Sequence, residues 1–277
     1  MDPYAPMSST ALSADHETQL PALHRAPVFT FARMFNAAGW LILGLLVYFL
    51  IIPAVRFGNW SPFGALSTWQ FLWVGLQVTL FVAVFSVVIS TIVGFVLALG
   101  RLSNNKLISR LSAGYIEFMR ALPSYLIIFY VFIVFPKIGI KLPSPWFAII
   151  GLSLYTSAVM AEIFRAGILS VEKGQLEAAY ALGLKPFDTV MNIILPQALR
   201  RMVPSIVSQL ITLVKDTSLA SIIALQELTA AGRQLYEYYG QTAGKPIVLE
   251  TLFVIASIYF VICYILALIS NRLEIKG

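Results

Sequence analysis

Long apolar runs dominate the chain and limit what it can fold into. They lie at about residues 35–55, 71–99, 111–135, 146–169, 202–225 and 247–270. Each has about the 20 residues that a helix needs to cross the hydrocarbon core of a bilayer. The runs are continuously apolar rather than alternating, which favours helices over a barrel. The chain of 277 residues is 59% hydrophobic and 12% charged. No soluble core of that size hides so much apolar surface, so the excess must face lipid. The expected fold is an all-α integral membrane protein with about six transmembrane helices.

Basic residues set the orientation. With the N-terminus inside, twelve of the 19 Lys and Arg residues fall in inner segments. Arg56, Lys137, Lys141, Arg233 and Lys245 fall outside, and Arg120 and Lys215 lie within spans. The positive-inside rule then puts both termini in the cytosol. The net charge of +6 is an orientation signal and not a nucleic-acid footprint. Residues 1–33 read as a polar cytosolic tail, since no basic region followed by an apolar one opens the chain. Residues 34–58 read as a first, extra span, and 70–273 as the main transmembrane domain. The single cysteine, Cys263, forms no intrachain disulfide and reads as a packing residue. His16 and His24 lie in the tail, away from any metal-ligand pattern.

In the second run, Ser86, Ser90, Gly94 and Ala98 recur every four residues. On a helix they form one stripe of small side chains, which lets two membrane helices approach closely. Between the fourth and fifth runs, residues 172–196 form a polar cytosolic loop. Within it, residues 176–184 read as a short helix ended by Gly183, with Pro186 barring continuation. Asp188 is expected to cap a second helix from about Thr189 to Pro196. The result is a compact exposed knob, suited either to docking a soluble partner or to serving as a connector.

Ionisable residues inside spans are costly and face a partner or a water-filled path. Glu117 and Arg120 lie three residues apart in the third run, and Glu162 and Arg165 repeat that spacing in the fourth. Pairing of Glu117 with Arg165, or of Glu162 with Arg120, would clasp the helices or gate a path at the cytosolic half. The alternative is that all four snorkel to the interface. Lys215 and Asp216, followed by Thr217 and Ser218, lie about 20 Å along a helix from Arg201. They either line a translocation path or form a neutralised kink. Residues 224–246 read as external, and their Tyr236, Tyr238 and Tyr239 suit a membrane belt or a protein interface.

The loop resembles the signature loop of ABC importer permeases: Glu177, Ala178 and Ala179, then Gly183, Ile193, Leu195 and Pro196, with the spacing intact. Further segments, at residues 75–103, 115–123, 161–171 and 213–223, look like the polar amino-acid (histidine/glutamine-type) permeases. That resemblance implies a type I importer-like five-helix core, here with one added N-terminal helix. It implies that the loop is a coupling helix seated in a groove of a cytosolic ATPase, whose ATP-driven closure moves two permease subunits between inward- and outward-facing states. One departure stands out. Where many members have Arg-Gly-Thr-Pro, this chain has Arg120-Ala121-Leu122-Pro123, which bears on the substrate more than on the family.

The sequence contains no G-x-x-x-x-G-K-[ST] phosphate loop and no catalytic constellation. The chain is therefore expected not to be an enzyme and to bind no cofactor or metal, with ATP and Mg held by a partner. The expected partners are an ATP-binding subunit dimer, a second permease subunit, an extracytoplasmic substrate-binding protein, a polar amino acid and membrane lipid, with no nucleic acid. The expected place is the bacterial inner membrane. Arginine, glutamate, glutamine, cystine or opine-like substrates all fit. The runner-up is an ion-coupled secondary amino-acid transporter working through Glu162, Lys215 and Asp216. A receptor or scaffold comes third.

Overall fold

The computed structural model describes residues 58–275, together with residues 39, 41, 44, 45, 48 and 56. The chain divides into two units, Met1–Arg56 and Phe57–Gly277. In the first unit the six described positions are helical. The tail at 1–33 and the rest of the expected first span lie outside the described residues.

The second unit is helical, with no strand among the described residues. Helix α1 (Leu66–Arg101) runs for 36 residues. Its buried positions include Leu72, Gly75, Thr79, Val82, Ser86, Ser90, Gly94 and Ala98, a stripe three or four residues apart. From Val82 to Ala98 the stripe packs on α4 (Ser144–Leu169), with the two helices running in the same direction. Ser86 Oγ donates to the Ile149 carbonyl at 3.5 Å, and Ser153 Oγ donates to the Ser86 carbonyl at 3.4 Å. A Cβ added at Gly94 would lie 2.6 Å from Met160 Cβ and 2.9 Å from the Ser157 carbonyl oxygen. The small residues thus allow the two backbones to touch, as the sequence pattern predicts.

The third expected span is not one helix. It splits into α2 (Lys106–Ala121) and α3 (Ser124–Lys137), bent by 102°. Pro123 is the cause. Its ring disfavours the helical region for the residue before it, and Leu122 is extended at φ −92°, ψ 141°. Asn105 caps the start of α2 through Oδ1, which accepts from the Leu107 and Ile108 amides at 2.9 and 3.5 Å. Four helical stretches among the described residues are long and apolar enough to cross a membrane, or five if the bent pair is one span.

Helix α5 (Lys173–Ala181) and α6 (Pro186–Thr189) follow α4. A π turn (Val190–Ile194) joins α6 to α7 (Leu195–Asp216), and a 3-10 turn (Thr217–Ile223) extends α7. The fifth expected span, 202–225, is therefore the far part of one continuous stretch, Phe187–Ile223. Residues 224–246, expected only as an external segment, hold a further helix, α8 (Leu228–Ala243), before α9 (Val248–Ile275). One core cluster (Ala98, Met160, Phe164, Val171, Ile194, Met202) sits at the α5 end, and another (Leu72, Leu228, Ala231, Ile247, Ile255) at the α8 end.

Candidate functional site

The knob begins with a helix of small and polar residues. Glu177 and Ala178 on α5 are exposed, while Ala179 is buried against the bundle. The helix starts three residues before the expected Leu176, at Lys173. It ends as expected at Gly183, which holds φ +77°. The Gly183 amide donates to the Tyr180 carbonyl at 3.0 Å, and the Leu184 amide donates to the Ala179 carbonyl at 3.1 Å. Those two bonds are the Schellman closure, which needs a left-handed residue that glycine adopts without strain.

Helix α5 does not continue through Pro186, as expected, and Pro186 itself opens α6, because the first helical position has no use for an amide hydrogen. Asp188 consequently lies inside the first turn and does not cap. Leu182 and Phe187 flank the turn at 81% and 70% exposure. Pro196 lies at the start of α7 and cannot donate back along the helix. The chain accommodates it with the π turn, in which the Leu195 amide donates to the Val190 carbonyl. Ile193 and Leu195 are half-buried at this joint and Pro196 is exposed. The seven signature residues thus lie along one connected α5–α6–α7 segment.

Three of the four charges of the third and fourth runs, Glu117, Glu162 and Arg165, meet through a residue outside that set. Arg101, the last residue of α1, pairs with Glu117 of α2 at 3.3 Å and with Glu162 of α4 at 3.8 Å. Arg165 pairs with Glu162 on its own helix at 2.9 Å. The expected Glu117–Arg165 and Glu162–Arg120 pairs do not form. The geometry favours Arg101 because it ends α1 beside both helices, whereas Arg120 makes no ion pair with a described carboxylate. Exposure tempers the network, since the Glu117 side chain is 71% exposed and such pairs contribute little.

A cavity of about 520 Å³ opens beside these charges, between α4 and α7, lined by Arg120, Glu162, Ser170, Arg201 and Ser205 among others. Arg201 donates through Nη1 to the Ser170 carbonyl, tying the start of α7 to the end of α4. Sequence reasoning counted Arg201 only as an orientation charge.

Lys215 is exposed and Asp216 half-buried where α7 tightens into its 3-10 turn. Thr217 is buried and donates to the Val214 carbonyl at 2.7 Å. Beyond the turn lies a carboxylate that the sequence did not single out. Glu227 is fully buried and precedes α8. Its Oε2 accepts from the Thr229 amide at 2.8 Å and the Tyr259 hydroxyl at 3.1 Å, and its Oε1 from the Ala230 amide at 2.7 Å. The Leu228 amide donates to Thr79 Oγ1 at 3.1 Å. The corner thereby joins α1, α8 and α9. Burial pushes the Glu227 carboxyl above the ordinary carboxylate range, and the donated hydrogen bonds pull it back. Among the described residues, no group of three His, Cys, Asp or Glu lies in metal-binding arrangement.

The family model described as binding-protein-dependent transport system inner membrane component matches residues 90–275. The probable glutamine ABC transporter permease protein GlnP of Bacillus subtilis is 43% identical over 206 residues, covering 74% of this chain and 93% of that protein. The glutamate transport system permease protein GluD of Corynebacterium glutamicum is 36% identical over 221 residues, covering 78% of each. In three dimensions, the chain matches the crystal structure of an amino acid ABC transporter with histidines. The TM-score is 0.68 at 27% identity, covering 75% of this chain and 94% of that one.

Proposed function

We propose that this chain, which belongs to the binding-protein-dependent transport system inner membrane component family, is the permease subunit of an ABC importer that carries polar amino acids into the cytosol. The observation that carries the reading is the knob: an exposed helix with a rigid glycine closure, next to apolar spans, presenting Leu182 and Phe187. In this reading Glu177, Ala178, Ala179, Gly183, Ile193, Leu195 and Pro196 couple the permease to a separate ATPase. That dimeric partner holds ATP and Mg. The α5 end then faces the cytosol of a bacterial inner membrane, and the α8 end meets an external substrate-binding protein. A second permease subunit, identical or homologous, completes the path. The domain division is a polar tail at 1–33, an added helix at 34–58 and the importer domain at 70–273. Glu117, Arg120, Glu162, Arg165, Lys215 and Asp216 remain candidates for the path or its gate. Relatives that carry glutamine and glutamate by name support a polar amino acid as substrate, as do the opposed charges around the cavity.

The experiment is purification of the tagged chain in mild detergent, native and Gly183→Pro. Proline cannot adopt φ +77°, so the variant loses the closure of α5. An ATPase is expected to copurify with the native chain, to support ATP-dependent amino-acid uptake in vesicles, and to be lost from the variant. Ion-driven uptake without any ATPase would sink the proposal.

A further inference from the structure

We infer that the first turns of α2 are a seat for an anionic phospholipid of the leaflet at the α5 end, with Lys106 and Arg110 holding the headgroup and Leu107 and Leu111 lying along the acyl chains. The seat stands whatever the chain transports.

Helix α2 crosses the spans instead of running with them. It starts beside the end of α1, where Ser109 Oγ donates to the Arg101 carbonyl at 2.9 Å. Deeper in the bundle, the Tyr115 hydroxyl donates to the Leu154 carbonyl at 3.0 Å, and Ile116 packs with Ala158 and Ala161. Helix α3 follows α4 in the opposite direction, with Phe132 against Phe147 and Ile128 beside Gly151. The 102° bend between α2 and α3 therefore turns α2 toward the plane of the bilayer. An amphipathic helix placed in that way lies at the headgroup boundary.

The faces of α2 sort accordingly. At about 100° per residue, Leu107, Leu111, Gly114 and Phe118 fall on one stripe. Lys106, Arg110 and Glu117 fall on a second, about a quarter turn away, and Ser112 and Ile116 are buried. Leu107, Leu111 and Phe118 are 66%, 67% and 60% exposed. A Cβ added at Gly114 would meet nothing within 4 Å, so no described element covers the stripe there. Glu117 is the one carboxylate on the helix, and Arg101 engages it through both Nη atoms at 3.3 Å. Lys106 and Arg110 make no ion pair with a described carboxylate. A second copy paired through this stripe would set one basic face beside another, which disfavours that occupant. An anionic headgroup complements the basic face, and the neighbouring apolar stripe takes the acyl chains.

The test is nitroxide quenching of bimane on the purified full chain with its accompanying ATPase, in phosphatidylcholine nanodiscs. The label is attached at Leu107→Cys or Leu111→Cys in a Cys263→Ser background, which has no other thiol. Phosphatidylglycerol and phosphatidylcholine, each spin-labelled on an acyl chain, are compared at equal mole fraction. Phe260→Cys, at an exposed position of α9, is the reference. Phosphatidylglycerol is expected to quench more strongly at α2, with a local enrichment on the order of fivefold. The two lipids are expected to quench equally at Phe260→Cys. The preference is expected to vanish in Lys106→Gln/Arg110→Gln, to persist in Lys106→Arg/Arg110→Lys, and to shrink in about 0.5 M salt. Both basic residues are exposed, so unchanged melting temperatures are expected. The salt measurement needs no change of charge and decides alone where a variant fails to fold.

Three outcomes overturn the seat. Equal quenching by the two lipids at α2 leaves a face without headgroup preference. A preference that survives the double glutamine variant or high salt removes Lys106 and Arg110 from it. No quenching by either lipid at α2, with normal quenching at Phe260→Cys, means that protein covers the stripe and makes it an interface with a second copy.

Discussion

Glu227 joins two helices, α8 and α9, through one carboxylate, and its removal is the clearest single-residue test of the packing. Replacing it with alanine exposes the Thr229 and Ala230 amides and the Tyr259 hydroxyl, all of which donate to it. Loss of a helix cap costs about 1–2 kcal/mol. Glu227→Ala is therefore expected to lower the melting temperature in detergent by several degrees, and Tyr259→Phe by less, since only one donor is lost. Glu117→Gln is expected to leave it unchanged, because that carboxylate is 71% exposed. The contrast also marks what a sequence reveals at this scale. Gly183 was legible because a chain reversal between two helical segments needs a left-handed residue. Glu227 was not, because glutamate is not a preferred cap and its partner Tyr259 lies far along the chain. The role of Arg101 was hidden for the same reason: a pair across three helices leaves no local spacing to read.

Elements separate by how local their causes are. The stripe on α1 follows from a four-residue period, so a close approach to another helix was legible before any fold, although which helix was not. Gly94→Leu puts a branched side chain where a bare Cβ would already lie 2.6 Å from Met160 Cβ. Overpacking of this kind costs about 1–3 kcal/mol, and the variant is expected to melt lower and extract in smaller yield, whereas Ser90→Ala is expected to match the native protein in both measurements. The break between α2 and α3 was legible in principle, since Leu122-Pro123 states it. Continuous hydrophobicity across 111–135 masked it, because apolarity measures affinity for lipid and not helix continuity. The start of α6 was misplaced for a related reason. Proline ends a helix from within but begins one from its first position, and the residue type alone does not say which.

For the whole molecule, the apolar spans came from hydropathy, whereas α8 did not, being too polar and too short to register as a span. Sidedness is testable directly. The chain has one cysteine, Cys263, so a Cys263→Ser background accepts single reporters. Lys185→Cys in the knob is expected to resist a membrane-impermeant maleimide in intact cells and to react after lysis. Tyr238→Cys on α8 is expected to react in both. The reverse pattern would invert the proposed orientation and put the knob out of reach of any cytosolic ATPase. The π turn ahead of Pro196 has a consequence for such a coupled machine. Each residue added to a helix rotates everything beyond it by about 100°. The wider turn at Val190–Ile194 therefore sets the rotational phase of α6 relative to α7. Compared with an uninterrupted α-helix, the turn shifts the azimuth at which the knob presents Phe187 relative to the one at which α7 presents Arg201 to its cavity.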